Sequence, residues 1–272
     1  MKRSIILGLM LLLLASCEEQ ISWDLKPGNT ASVFVDGIIT DELKSQTITI
    51  AKPVTNINLT AEPVSGATVL VSTDELVYTF RESPTTPGTY ISDIPFAGIA
   101  GKTYSLLITD KNRTYSAKSL LATAKTFNFL KYELNSDDGK YRITSVAKSY
   151  DPINPAMYEI QLDWSTAPGY ENAHPDSCKA KLYYYTLPTI DVSEVFAPGL
   201  EKVKFPKGTI ITERRYSLTN EHAAFVRTLL LETTWQGGFF NTATANVPTN
   251  LSEGGVGFFG ACGLVEMVEN VK

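Results

Sequence analysis

Cysteine and histidine, the residue types that most often serve as nucleophile, base or metal ligand, are scarce in this chain. Its 272 residues include three cysteines, Cys17, Cys178 and Cys262, and two histidines, His174 and His222. His174 stands in a polar loop, Glu171-Asn-Ala-His-Pro-Asp176, and His222 opens a segment with helical periodicity. Neither belongs to a His-Glu-x-x-His or similar metal spacing. A zinc site takes three or four ligands from Cys, His and carboxylates, so isolated histidines predict surface or structural roles, with no metal and no cofactor. There is no Gly-x-Ser-x-Gly elbow and no Gly-x-x-x-x-Gly-Lys-Ser/Thr loop. Gly254-Gly255-x-Gly257 lacks the strand-then-helix setting of a dinucleotide site and reads as turn and bulge glycines. Asp137-Asp138-Gly139 is too short for a calcium cage and reads as a hairpin turn. No catalytic residue is assigned, and the chain is not expected to be an enzyme.

Cys17 differs from the other cysteines in its setting. Lys2 and Arg3 precede an apolar run from Ile5 to Leu14, broken by Gly8, and Leu14-Ala15-Ser16-Cys17 closes it. Charge, then a short apolar run, then small residues is the profile of a secretory signal peptide, and the run is short for a permanent membrane span. The Leu-Ala-Ser-Cys ending resembles a bacterial lipobox, whose cysteine is lipid-modified and becomes the first mature residue. The expectation is a signal peptide over 1–16 and a lipidated, acidic tether over 17–30. One acyl chain anchors only marginally whereas several anchor stably, so a triacylated Cys17 would hold the protein on a membrane. Exported compartments are oxidising, and the remaining even pair, Cys178 and Cys262, predicts a disulfide. The alternative is two small buried apolar side chains that never meet.

The formal net charge of −5 argues against nucleic acid as a partner, since such proteins carry a basic patch or stripe. No second apolar run approaches membrane-spanning length.

The elements that must position any site are mostly strands. Ser32–Thr40, Gln46–Ile50, Ala67–Val71, Val77–Phe80, Gly88–Ile91, Thr103–Ile108 and a strand opening at Tyr115 are rich in β-branched and alternating apolar residues, with turn signals between them. So many short strands in so short a stretch predict a β-sandwich over 31–122. The pattern weakens across Leu120–Lys125, where a boundary is expected. Residues 123–272 predict a second β-rich domain, with strands at 126–132, 141–147, 157–164, 179–185 and 209–216. One helix at about 219–236 is capped by Thr219, stapled by Leu218 and ended by Gly237-Gly238. A further strand then leads through Gly254–Gly260 into Cys262. The fold class expected is mostly β: two consecutive sandwiches, immunoglobulin-like or carboxypeptidase-regulatory-like, with one helix in the second.

The aromatics Trp164, Tyr183-Tyr184-Tyr185, Trp235, Phe239-Phe240 and Phe258-Phe259 read first as core and cross-strand packing. Adjacent aromatics on a strand face opposite sides, so Trp235, Phe239, Phe240, Phe258 and Phe259 are the candidate contacts with a partner.

Several segments taken in order resemble a known family: the lipobox with Glu18-Glu19, Val35-Asp-Gly-Ile-Ile-Thr-Asp-Glu42, Gly66-Ala-Thr-Val69, Gly88-Thr-Tyr90, Gly101-Lys-Thr-Tyr104, Gly237-Gly-Phe-Phe-Asn241, Asn246-Val-Pro-Thr-Asn250 and Gly257-Phe-Phe-Gly260. The series is similar to the Bacteroidota outer-membrane lipoproteins of domain of unknown function 4249 (DUF4249). The resemblance implies a mostly β envelope lipoprotein, displayed at the outer-membrane surface or facing the periplasm. It also implies an accessory role beside a TonB-dependent receptor in nutrient capture. A structural or adhesin-like surface protein is the alternative, and a polymer hydrolase a more distant one.

Overall fold

Strand forms in this chain where apolar side chains alternate, because one face of each strand then meets a core. The computed structural model describes residues 33–54, 60–189, 203–233, 247–252 and 254–272. Cys17, the tether, Trp235, Phe239 and Phe240 lie outside the described residues. Seven strands fill the first part of the chain: β1 (Val33–Thr40), β2 (Thr47–Ala51), β3 (Thr68–Ser72), β4 (Val77–Glu82), β5 (Thr89–Ser92), β6 (Thr103–Asp110) and β7 (Arg113–Leu120). They match the expected strands to within a few residues. The second part holds β8 (Lys131–Asn135), β9 (Lys140–Ser145), β10 (Ala156–Asp163), β11 (Lys179–Thr186), β12 (Lys204–Phe205), β13 (Ile210–Ser217), the helix α1 (Asn220–Thr233), β14 (Gly255–Cys262) and β15 (Leu264–Asn270).

The first sheet has eight strands in the order β14-β1-β2-β5-β4-β3-β6-β7. All its pairings are antiparallel except one: β14 lies parallel to β1, with Val33 opposite Gly255 and Thr40 opposite Cys262. The boundary expected near residue 122 is where the chain leaves this sheet, yet Gly255–Cys262 returns to it, and Ala31–Lys272 packs as one unit. The sheet curls until its two edges meet. Asn250 joins them, its amide nitrogen donating to the carbonyls of Lys118 (3.0 Å) and Phe259 (2.7 Å) and its oxygen accepting from Phe259 N (3.0 Å). Val33, Val35, Ile48, Ile50, Val69, Leu106, Ile108 and Phe259 fill the interior. Close pairing of β1 with β14 requires glycine at 257, where φ is +94° and a Cβ would run into the Val35 carbonyl.

Gly263 carries the chain from β14 into β15 and thus into a second sheet, β11-β10-β13-β15. A third sheet, β12-β9-β8, shares a core with the second: Ile143 and Phe205 meet Tyr158, Ile160, Leu162 and Ile211. The mostly β class with a single described α-helix therefore stands. Thr219 caps α1 as expected, its hydroxyl accepting from His222 N at 3.2 Å, and Leu218 packs in the same cluster as Ala223. The helix wedges between the sheets, joining Ile38 and Cys262 of the first to Met157 and Tyr216 of the second.

The expected disulfide does not form. Cys178 and Cys262 are both free and buried. Cys178 immediately precedes Lys179, which pairs with Asp163 at one end of β10. Cys262 lies just before Leu264, which pairs through Tyr216 with Met157 at the other end. An eight-residue strand spans about 25 Å, whereas a disulfide needs Cα atoms within about 7 Å.

Candidate functional site

The site begins with an irregularity in β13, Ile210-Ile-Thr-Glu-Arg-Arg-Tyr-Ser217. Alternation sends Arg214 to the outer face of the second sheet. There it pairs with Glu266 at 2.6 Å, in a row that also holds Glu159 and Lys181, 3.0 Å apart. The same alternation sends Ile211, Glu213 and Arg215 inward, so two charged side chains enter the sandwich. Glu213 is fully buried. One carboxyl oxygen accepts from Leu130 N at 2.8 Å and the other has no partner. Burial pushes its pKa up to about 7.

Arg215 is 4% exposed. Its Nε donates to the Tyr158 hydroxyl at 3.2 Å and Nη1 to Ser217 Oγ at 2.7 Å. Two long bonds of 3.4 Å run from Nη1 to the Lys125 carbonyl and from Nη2 to the Asn154 carbonyl. All four acceptors are neutral. The guanidinium borders a cavity of about 540 Å³ framed by the segments 125–128 and 146–154 and by β10, β11 and β13. A volume of that order suits a small organic ligand.

The sequence builds this cavity by tying connecting segments to strands. Tyr184 donates to the Ala147 carbonyl at 3.0 Å and Thr186 to the Lys148 carbonyl at 2.6 Å, which fixes one rim to β11. Phe127 packs edge-on against Tyr158, ring centroids 5.7 Å apart, and gives the cavity an aromatic wall. Asp151 folds the rim into a turn, accepting from the amides of Ile153 and Asn154, each at 2.9 Å. Those amides hold its carboxyl below the ordinary carboxylate range, and the Arg215 charge adds to the pull. Lys125 and Lys148 also line the cavity, so three cations surround it against one carboxylate. A second recess of about 600 Å³, beside Pro168, Pro206 and Val271, has no buried charge at its wall.

One pairing resembles a nucleophile with its base. His222 Nδ1 lies 3.7 Å from Cys262 Sγ, both buried. Burial pushes the thiol up to about 12 and the imidazole down to about 4. An activated cysteine needs the opposite, a lowered thiol pKa beside a cationic partner, so this pair is packing. Gly260 makes room for it, since a Cβ there would lie 2.7 Å from His222 Cε1. His174 is at the surface, its Nδ1 accepting from Asp176 N at the start of a short 3₁₀ turn. Among the described residues no three His, Cys, Asp or Glu gather as metal ligands, and no described helix is long and apolar enough to cross a membrane.

Phe258 and Phe259, expected as partner contacts, are both buried. They do face opposite sides of β14, but each side is covered. Phe259 enters the first core, and Phe258 stacks on His222 and Phe225 of α1 at 4.6 and 5.0 Å. The Arg215 cavity was missed by motif. The signal for it was present in Glu213-Arg214-Arg215, where three consecutive charges on a strand must bury at least one.

A family model described as a domain of unknown function (DUF4249) matches residues 18–266. The chain belongs to this family. No curated protein matches it. The DUF4249 match extends from the tether through β1 and the glycines of β14 into β15, so it covers both the curled sheet and the sandwich that holds Arg215.

Proposed function

We infer that this DUF4249 member is a lipid-anchored binding protein of the outer membrane, an accessory partner of a TonB-dependent receptor in nutrient capture, and not an enzyme. The observation that carries the reading is the N-terminal sequence: Lys2-Arg3, the apolar run and Leu14-Ala15-Ser16-Cys17, followed at once by Glu18-Glu19. A lipid on Cys17 confines the protein to a surface and raises its effective concentration beside membrane partners. The Cys262–His222 pair, both groups neutral, supports binding over nucleophilic chemistry.

Metabolic labelling with a palmitate analogue tests the anchor. The wild type takes up label and Cys17→Ala does not, because the thioether needs the sulfur. Wild-type protein without label contradicts the reading.

A further inference from the structure

We propose that the cavity beside Arg215 is a binding site for small organic carboxylates, the guanidinium receiving the carboxylate and Phe127 and Tyr158 packing against the ligand's apolar body. The inference deepens the binding role inferred above but does not depend on the lipid anchor.

A guanidinium is costly to bury unless a negative charge meets it. Among the described residues Arg215 makes no ion pair; its four hydrogen bonds end on two hydroxyls and two carbonyls. Asp151, whose carboxyl feels the Arg215 charge, is held in its own turn by two amides. The two 3.4 Å bonds, one from Nη1 and one from Nη2, end on the carbonyls of Lys125 and Asn154, residues that both border the cavity. These two N–H groups are the loosely held ones, while Nε and the Nη1 bond to Ser217 stay short. A carboxylate there exchanges two long neutral bonds for two short charge-assisted ones in the planar geometry that guanidinium favours. Nε stays on Tyr158, so the group arrives oriented. Lys125 and Lys148 supply long-range attraction to an anion at the cavity mouth. The aromatic wall selects a carboxylate attached to an apolar body over a small inorganic anion.

Calorimetric and NMR titrations of the purified full chain test this with defined probes: benzoate, N-acetylphenylalanine and glucuronate, the neutral twins benzamide and N-acetylphenylalaninamide, and inorganic phosphate. Benzoate or N-acetylphenylalanine is expected to bind at least tenfold more tightly than its neutral twin and more tightly than glucuronate, and to shift the Arg215 Nε–H resonance. Benzoate and N-acetylphenylalanine carry the apolar body, which glucuronate lacks. Arg215→Lys keeps the charge and loses the fork, so it weakens binding tenfold or more. Lys148→Glu, at an exposed rim position, weakens it too without lowering the melting temperature, which keeps the test valid if Arg215→Lys folds poorly. Equal binding of acid and neutral twin, phosphate binding tighter than every carboxylate, no binding by any probe, or affinity unmoved by Lys148→Glu overturns the proposal. None of these outcomes bears on labelling of Cys17, so failure here is distinct from failure of the envelope role.

Discussion

Arg215 is held by Tyr158 in two ways: Nε donates to the phenolic hydroxyl at 3.2 Å, and the guanidinium carbon lies 5.9 Å from the centre of the same ring. Tyr158 is itself fixed, with Phe127 and Tyr184 edge-on at 5.7 and 6.3 Å. The aromatic cluster thereby sets where the one inward-facing cation of β13 rests, and the cavity inherits its position from that cluster.

Removing only the hydroxyl measures the link. Tyr158→Phe keeps the rings and leaves a buried Nε–H without an acceptor, which costs about 1–3 kcal/mol. Urea unfolding should show the midpoint fall with an unchanged slope. A variant as stable as the wild type would mean that water or another group serves Nε equally well.

Glu213 gives the fold a pH dependence of definite sign. Its folded pKa is about 7, against an ordinary 4.5, so the folded state holds a proton that the unfolded state releases. The stability it contributes is complete below about pH 4.5 and is lost as pH rises through 7, a change of roughly 3 kcal/mol if this group acts alone. Glu213→Gln, neutral at every pH, should remove that component and be the more stable protein at pH 8. Parallel pH–stability curves for the two proteins would show that the carboxyl ionises in the fold without penalty.

Gln46 replaces backbone pairing at the turn after β1. It is fully buried; its amide nitrogen donates to the carbonyls of Thr40, Glu42 and Phe96, and its oxygen accepts from Thr40 N. Gln46→Leu fills the space and strands three backbone groups, Thr40 N and the carbonyls of Glu42 and Phe96, since the Thr40 carbonyl keeps its bond from Gly98 N, so a loss of at least about 2 kcal/mol is expected. A melting temperature within a degree or two of the wild type would argue that solvent enters the turn freely.

The cysteines give a simple count. With Cys178 and Cys262 at opposite ends of β10, denatured and unreduced Cys17→Ala protein should titrate two thiols. Finding none would mean that the sheets rearrange enough to bring the pair together.

What could be read from the chain was what is local. Thr219, Leu218 and the spacing of Phe225, Leu229 and Leu230 located α1, and alternation located β1 to β7, because caps and one-sided burial leave marks within a few residues. β15 left no such mark: it is an edge strand, and Glu266, Met267, Val268, Glu269 and Asn270 are all exposed. The parallel pairing of β14 with β1 joins residues more than two hundred positions apart and has no local signature. Asn250 was visible within Asn246-Val-Pro-Thr-Asn250, but its work as the clasp between the two edges of the curled sheet depends on both edges being in place. The site was the least legible part. Its chemistry lies in a single arginine whose inward direction follows from strand parity, while its cavity comes from segments between strands, and neither makes a motif.

If this DUF4249 member serves beside an outer-membrane receptor, as proposed, the two should copurify. Membranes bearing the protein at native abundance are crosslinked, solubilised in mild detergent and analysed by mass spectrometry after capture of this chain. Crosslinks to a TonB-dependent receptor are expected, lost or strongly reduced in Cys17→Ala because the proposed anchor that concentrates the pair is gone. Recovery of the chain alone, under conditions that keep other receptor–lipoprotein pairs intact, would contradict it.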